Sequence, residues 1–291
     1  MADVIAFSPL EPFGVELALD LRREMTAPEQ LEFCRLYELH DLVLVHGPVL
    51  TMEEQMRVCE LLGPVLMSDT GLMSKDTAIG LAGVELCFHS DYAYSPEPLQ
   101  AISLHAVDVV DGETSTRFAG GRHAYDSLAP DVQARVADVS ALQVFGVRLD
   151  ARNRLAELDP VLPSTAHALA PVHDATGSRC LFAPEMTTDS IVGLDSDESE
   201  ALLAQVFAAL YGPGQVLEHR WCMGDFVLWN NTRVVHARGD SSMVEHRVLQ
   251  RVTLGTKGYL DLYPELAFYE WDQSGDMVEG SSLADRGSTP R

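Results

Sequence analysis

A mostly β, α+β fold with a jelly-roll core is what the sequence predicts, and three observations carry that reading. Four short strand-like runs, residues 216–222, 224–229, 233–237 and 248–254, follow one another at the spacing of an antiparallel barrel or jelly roll. Near the start of the chain, two helices that open on capping boxes bracket a short buried strand. The 291 residues are 46% apolar, enough for a large core, yet no apolar run approaches the roughly 18 to 20 residues a membrane helix needs.

Taken in order, residues 1–25 predict one or two strands. Thr26-Ala27-Pro28-Glu29 has the capping-box pattern, and Leu31, Cys34, Leu36 and Leu39 follow at near-helical spacing. His40-Asp41 ends that helix, and the four apolar residues 42–45 read as a buried strand. Thr51-Met52-Glu53-Glu54 opens a second helix, running to about residue 62, which Gly63-Pro64 stops. Residues 66–84, with Gly and Met and weak periodicity, read as a loop or irregular lid. Residues 100–110 predict a strand closed by the turn signal Asp111-Gly112. Residues 124–139 read as helical with a break at Ala129-Pro130, and 142–147, 166–172 and 180–182 as short strands. Residues 195–211 are the clearest late helix, with Leu202, Leu203, Val206, Phe207 and Leu210 on one stripe. This layout predicts one domain over 1–272 and a disordered tail, 273–291, rich in Ser, Gly and Asp.

The formal charge of −24 argues against nucleic acid and membrane partners, because so acidic a surface repels phosphate backbones and anionic lipids. Solubility or a salt-adapted host explains the charge more simply than attraction of a cationic substrate. The five cysteines, at 34, 59, 87, 180 and 222, are odd in number and never form a CxxC pair, which fits reduced thiols in a cytoplasm. The first residues lack the basic and apolar regions of a secretory signal. The expected partner is a small-molecule substrate, and a homo-oligomer stays open.

The chemistry is carried by Leu86-Cys87-Phe88-His89-Ser90-Asp91-Tyr92, where an imidazole and a carboxylate stand two residues apart in an apolar, aromatic run. On a strand, alternate side chains share a face at roughly 6 to 7 Å. With one more histidine, such a pair makes the 2-His-1-carboxylate triad of a non-haem iron(II) oxygenase. The triplet alone is weak, since about one or two HxD or HxE triplets are expected by chance among 10 histidines and 44 acidic residues. Its context raises the signal: it is the only such triplet and lies in a strand-like run. A second segment runs Gly224-Asp225-Phe226-Val227-Leu228-Trp229-Asn230-Asn231-Thr232-Arg233-Val234-Val235-His236. A third places Arg247 and Arg251 on the next strand, so that His236 and Arg251 are expected on adjacent strands facing one cavity. An interior guanidinium demands an anion.

Together these segments resemble the TauD/TfdA group of iron(II)- and 2-oxoglutarate-dependent dioxygenases over roughly residues 35–256, with a likeness to the clavaminate-synthase-like branch around His236 and Arg251. The resemblance implies a double-stranded β-helix core with flanking helices, His89, Asp91 and His236 as iron ligands, and Fe(II), 2-oxoglutarate and O2 as cofactor and cosubstrates. It also implies that Thr114 hydrogen-bonds the distal carboxylate of 2-oxoglutarate and that Arg251 forms its salt bridge, with Arg247 the rival for that role and otherwise a surface or supporting charge. Trp229 matches an aromatic near the site, and Asn230 departs from the aspartate common at its place. With Asp91 intact, hydroxylation of a small-molecule C–H bond is favoured over halogenation, with release of succinate and CO2. The substrate implied is an amino-acid derivative or natural-product intermediate. Glu85 replaces the asparagine of taurine-type members, so an amine rather than a small sulfonate is expected there, and residues 66–84 are expected to contact the substrate. A metal-dependent cupin-type isomerase or lyase and a non-enzymatic jelly-roll binding protein are the alternative readings.

Overall fold

The computed structural model describes residues 4–74, 85–174, 176–239, 244–271 and 277–279. β1 (Ala6–Pro9) and β2 (Val15–Ala18) form an antiparallel hairpin. α1 (Ala27–His40) begins at Thr26, whose N–H donates to the Glu29 carboxylate at 2.8 Å, and ends at Asp41 in the left-handed region with φ 63°. After β3 (Leu42–Val45), α2 (Met52–Cys59) opens on the reciprocal Thr51–Glu54 box, with bonds of 2.8 and 3.2 Å. These local signals were sufficient because a capping box satisfies two otherwise orphaned donors within four residues of sequence.

The following elements are β4 (Gly71–Ser74), β5 (Leu86–His89), β6 (Ala101–Val109), β7 (Ser115–Gly120), α3 (Gly121–Ser127), α4 (Pro130–Val136), β8 (Ser140–Val144), β9 (Ser164–Ala168) and β10 (Thr188–Ile191). Then come α5 (Ser196–Tyr211), β11 (Val216–Arg220), β12 (Phe226–Asn230), β13 (Val234–Arg238), β14 (Arg247–Leu254), α6 (Tyr259–Leu262), β15 (Tyr269–Trp271) and β16 (Met277–Glu279). A seven-stranded sheet has the order β1-β2-β3-β12-β6-β14-β4, and a four-stranded sheet the order β11-β7-β13-β5. Strands β10-β8-β9 make a third, smaller sheet.

Side-chain alternation sorts the two main sheets into layers. Ile102, Leu104, Val227, Trp229 and Leu249 of the large sheet meet Phe118 and Val234 of the small one in a shared interior cluster. On the outer face of the large sheet, Phe226, Leu228, Val252 and Leu254 pack on Phe33, Leu36 and Val58 of α1 and α2. On the outer face of the small sheet, Phe88, Ala119, Val235 and Ala237 pack with Leu202, Leu203, Val206 and Leu210 of α5. The inner positions of β13 and β14 are therefore Val234, His236 and Arg238, and Arg247, Leu249, Arg251 and Thr253.

Several expectations are corrected. Residues 66–84 are not simply a loop: Met67–Asp69 is a 3₁₀ turn and Gly71–Ser74 is an edge strand paired with β14, while 75–84 lie outside the described residues. Residues 180–182 form no strand; Leu181 and Phe182 donate their N–H groups to the Gly121 and Leu169 carbonyls instead. β7 and β10 carry too little apolar alternation to read, since Arg117 and Asp189 occupy strand positions. In the tail, Met277–Glu279 pairs with Tyr269–Trp271, and the rest of 273–291 lies outside the described residues.

Gly224 opens the segment that leads into β12 at φ 85°, and a Cβ there would overlap the Gly47 carbonyl oxygen. Gly224→Ala is expected to cost ~2 kcal/mol or more, from left-handed strain plus backbone collision, read as a fall in the denaturant midpoint at unchanged m.

Candidate active site

His89 is the last residue of β5 and faces His236 of β13 in antiparallel register, with ring centroids 4.1 Å apart. The strand stops there. Asp91 lies in the following turn rather than on the strand face, and its Oδ1 is 3.5 Å from His89 Nε2. One ligand atom from each of His89, Asp91 and His236 lies within 4.8 Å of the others, the only such trio among the described residues. The set is two imidazoles and one carboxylate, which suits a borderline divalent ion such as Fe(II) and leaves positions open.

The surroundings prepare this set. His89 Nδ1 is 2.8 Å from the Cys87 carbonyl and donates to it, so Nε2 carries the free lone pair. His236 Nδ1 is buried without a hydrogen-bond partner among the described residues. Burial pushes both imidazoles below their ordinary pKa, that of His236 furthest because His89 and Arg251 add to it. Burial would raise the Asp91 pKa, but Arg251 and the two histidines outweigh that and hold it low. Both histidines are thus neutral and the aspartate ionised, the protonation states a metal ligand requires.

The turn is held by a residue that motif reading passed over. Asn231, fully buried between β12 and β13, accepts the Asp91 N–H at 3.0 Å and donates to the Asp91 and Leu99 carbonyls, each at 2.9 Å. Its own carbonyl accepts the Ser90 hydroxyl at 2.6 Å. Tyr92, next in the chain, sits at φ 61°, a conformation that costs a non-glycine residue energy and persists because these bonds fix it. Trp229 is fully buried and lies 4.8 Å from the His236 ring, packing behind that histidine. Asn230 instead closes a local turn, accepting from Thr232 N–H and hydroxyl.

His236 and Arg251 do not lie on adjacent strands; they come from opposite sheets and meet across the interior. Arg251 Nη2 donates to Asp91 Oδ2 at 2.7 Å and to Asp69 Oδ2 at 3.1 Å. Asp91 therefore turns one oxygen to the histidines and the other to Arg251. Arg247 is not a surface charge: it is 8% exposed on the same inner face, and its Nε has no hydrogen-bond partner among the described residues. Burial, with Arg238 alongside, lowers its pKa to about 10, and no carboxylate among the described residues counters that. Thr114 is buried with its hydroxyl likewise unpartnered. Glu85 does not face the site. It is exposed and pairs at 3.1 Å with Arg117, which covers Phe88 on the outer side of the small sheet. His105, His167, His173 and His219 hydrogen-bond or ion-pair within the fold, and His123 stacks on Phe13.

A His-Asp-His set held between a largely antiparallel and a fully antiparallel sheet has the make-up of a non-haem metal site on a double-stranded β-helix. The family model described as taurine catabolism dioxygenase TauD, TfdA family, matches residues 6–253, and the chain belongs to that family of 2-oxoglutarate-dependent non-haem iron dioxygenases, whose chemistry uses Fe(II), 2-oxoglutarate and O2. It is 29% identical over 204 residues to pentalenolactone F synthase of Streptomyces arenae, covering 63% of this chain and 66% of that enzyme, just under two thirds of its length. It is 25% identical over 284 residues to the alpha-ketoglutarate-dependent 2,4-dichlorophenoxyacetate dioxygenase of Cupriavidus pinatubonensis, covering 86% of this chain and 97% of that one. The crystal structure of a taurine dioxygenase from Burkholderia xenovorans superposes with TM-score 0.72 at 23% identity, over 95% of this chain and 97% of that one, which shows the fold. No described helix is long and apolar enough to cross a membrane.

Replacing Asn231 by Ala strips the clamp from a buried turn; a stability loss of about 2–3 kcal/mol and a 10–100-fold weaker Fe(II) affinity are expected, checked by denaturant unfolding and anaerobic metal titration. Five histidines, His40, His89, His105, His167 and His236, have pKa values lowered chiefly by burial. In the unfolded chain they take up protons as pH falls through about 6.5, while in the folded chain they do so only at lower pH. The metal-free protein should therefore lose stability as pH drops below about 6.5, with a shallower slope in His236→Ala.

Proposed function

We propose that the protein oxidises, by hydroxylation, a C–H bond of a small molecule at an iron held by His89, Asp91 and His236, releasing succinate and CO2 from 2-oxoglutarate. The observation that carries this reading is the inward-facing trio together with a buried arginine of the same interior, Arg247, that has no carboxylate partner among the described residues. Bound Fe(II) supplies the activation of O2 and the oxidative decarboxylation of 2-oxoglutarate. The chain supplies position and charge. Neutral His89 and His236 and ionised Asp91 are set to coordinate without first shedding a proton.

The distal carboxylate of 2-oxoglutarate is assigned to Arg247 and Thr114 rather than to Arg251. A buried guanidinium without an anion is costly, and a buried hydroxyl without a partner adds to that cost; a carboxylate that reached both would remove both costs. Arg251 already has Asp91 and Asp69, and its part is to orient the Asp91 ligand. A cupin-type isomerase or lyase, or a binding module, would leave Arg247 and Thr114 without a purpose. The names of the relatives range over pentalenolactone F, 2,4-dichlorophenoxyacetate and taurine, so no single substrate carries over.

Release of labelled CO2 from C1-labelled 2-oxoglutarate, dependent on added Fe(II), is the expected activity. Arg247→Ala should raise the 2-oxoglutarate concentration for half-maximal release about 30-fold or more, the scale of a lost buried ion pair, while Arg251→Ala should raise it far less. The reverse ranking would return the carboxylate to Arg251.

A further inference from the structure

Arg251 bonds directly to the metal trio, and the partners it already has bear on what else it can hold. Its Nη2 donates to Asp91 Oδ2 at 2.7 Å and to Asp69 Oδ2 at 3.1 Å. Asp91 is a member of the trio, whereas Asp69 stands on the 3₁₀ turn before β4 and has no part in the chemistry proposed above. Solvent reaches all of these groups. The side chains are 14% exposed at His89, 18% at Asp91, 20% at Arg251 and 24% at Asp69. The ion pair therefore lies on the open side of the trio, from which a substrate approaches, and not in the sealed core.

The turn that carries Asp69 is fixed to the same strand as its partner. The Asp69 carbonyl accepts the Thr253 hydroxyl at 3.1 Å, and the Asp69 N–H donates to the Leu66 carbonyl at 3.1 Å. The Leu66 N–H in turn donates to the Thr253 carbonyl at 2.9 Å. Thr253 is two residues beyond Arg251 on β14, so one strand sets the position of both charges. On the other flank, Gly258 lies so close to Ser68 that a Cβ would press on its hydroxyl. The turn cannot withdraw without breaking these contacts.

A guanidinium at the edge of a metal site is well suited to hold an anionic group of a ligand. Here that capacity is taken up within the chain. Asp69 and Asp91 together carry one negative charge more than Arg251 can match, and bound Fe(II) with the chelating carboxylate of 2-oxoglutarate brings the whole set to neutrality. A substrate carboxylate or sulfonate placed beside it would be an uncompensated anion in a largely buried site, next to the Asp69 carboxylate. An uncharged group meets no such cost.

We propose that Asp69 is a specificity-determining residue: it keeps Arg251 engaged with the chain's own carboxylates and so selects uncharged substrates over carboxylates and sulfonates. This deepens the oxygenase reading and rests on it for where the substrate sits. It also replaces the amine contact expected of Glu85, a residue that pairs with Arg117 away from the site.

The test is calorimetric titration of the full chain with two probes of one size, 3-phenylpropionate and 3-phenylpropanamide. Each is titrated into metal-free protein and into protein loaded anaerobically with Fe(II) and 2-oxoglutarate. Wild type is expected to bind the carboxylate more weakly than the amide. In Asp69→Asn, binding of the carboxylate should tighten by about ten-fold or more, the scale of one removed like charge, with the amide nearly unchanged. Asp69→Glu keeps the charge and should show no such gain. Wild-type protein that binds the carboxylate as tightly as the amide, Asp69→Asn without a gain for the carboxylate, or an equal gain for both probes would overturn the proposal. Wild-type protein that develops no visible band of an iron–2-oxoglutarate complex would instead count against the oxygenase reading, and the gain in Asp69→Asn is still read on the metal-free chain.

Discussion

Burying cations between the two main sheets is the constraint on which the site depends. The inner faces of β13 and β14 carry Arg238, Arg247 and Arg251, and each must find compensating charge or polar contact in an interior that otherwise holds Phe118, Trp229 and Leu249. Arg251 is compensated from within, by Asp69 and Asp91. That pairing explains why Asp91 presents a single oxygen to the histidines: the other is held by Arg251. Arg247 is compensated by no carboxylate among the described residues, which is the place the proposed function gives to an acidic ligand. One strand thus supports both halves of the proposed site, the metal end at Arg251 and the cosubstrate end at Arg247.

The geometry of the trio depends on chain reversal rather than on strand regularity. If β5 continued through Asp91, its carboxylate would follow the pleat along the sheet. Instead the strand ends at His89, the chain turns, and Asn231 ties the turn to the β12–β13 connection with three hydrogen bonds to Asp91 and Leu99. Because β13 starts three residues after Asn231, the same connection that fixes Asp91 also fixes the register of His236. A single buried amide therefore couples two of the three ligands.

Much of this was legible in the sequence where the cause is local. The capping boxes at Thr26 and Thr51, the apolar run at β3, the Asp195-capped α5 and the four late strands all rest on neighbours within a few residues, and each is found near its expected bounds. The three residues of the trio were legible because their types and order are distinctive. What was not legible is long-range. β7 lacks alternation because its outward Arg117 covers Phe88 from another strand. The 3₁₀ turn and β4 depend on pairing with β14. Asn231 bonds Asp91 from 140 residues away, a partnership that no local pattern signals. Between Arg247 and Arg251 the sequence offers no choice of role, since period-two alternation turns both inward; only the carboxylates already beside Arg251 separate them.

The central claim is that the trio holds iron and the inner arginine holds 2-oxoglutarate in one complex. Anaerobic titration of Fe(II) and 2-oxoglutarate into the protein, followed by the weak visible charge-transfer band of the chelated complex, tests it most directly. The account predicts a band that saturates at one equivalent of iron and is lost in His236→Ala. A wild-type protein without the band, or a band unchanged by His236→Ala, would contradict it.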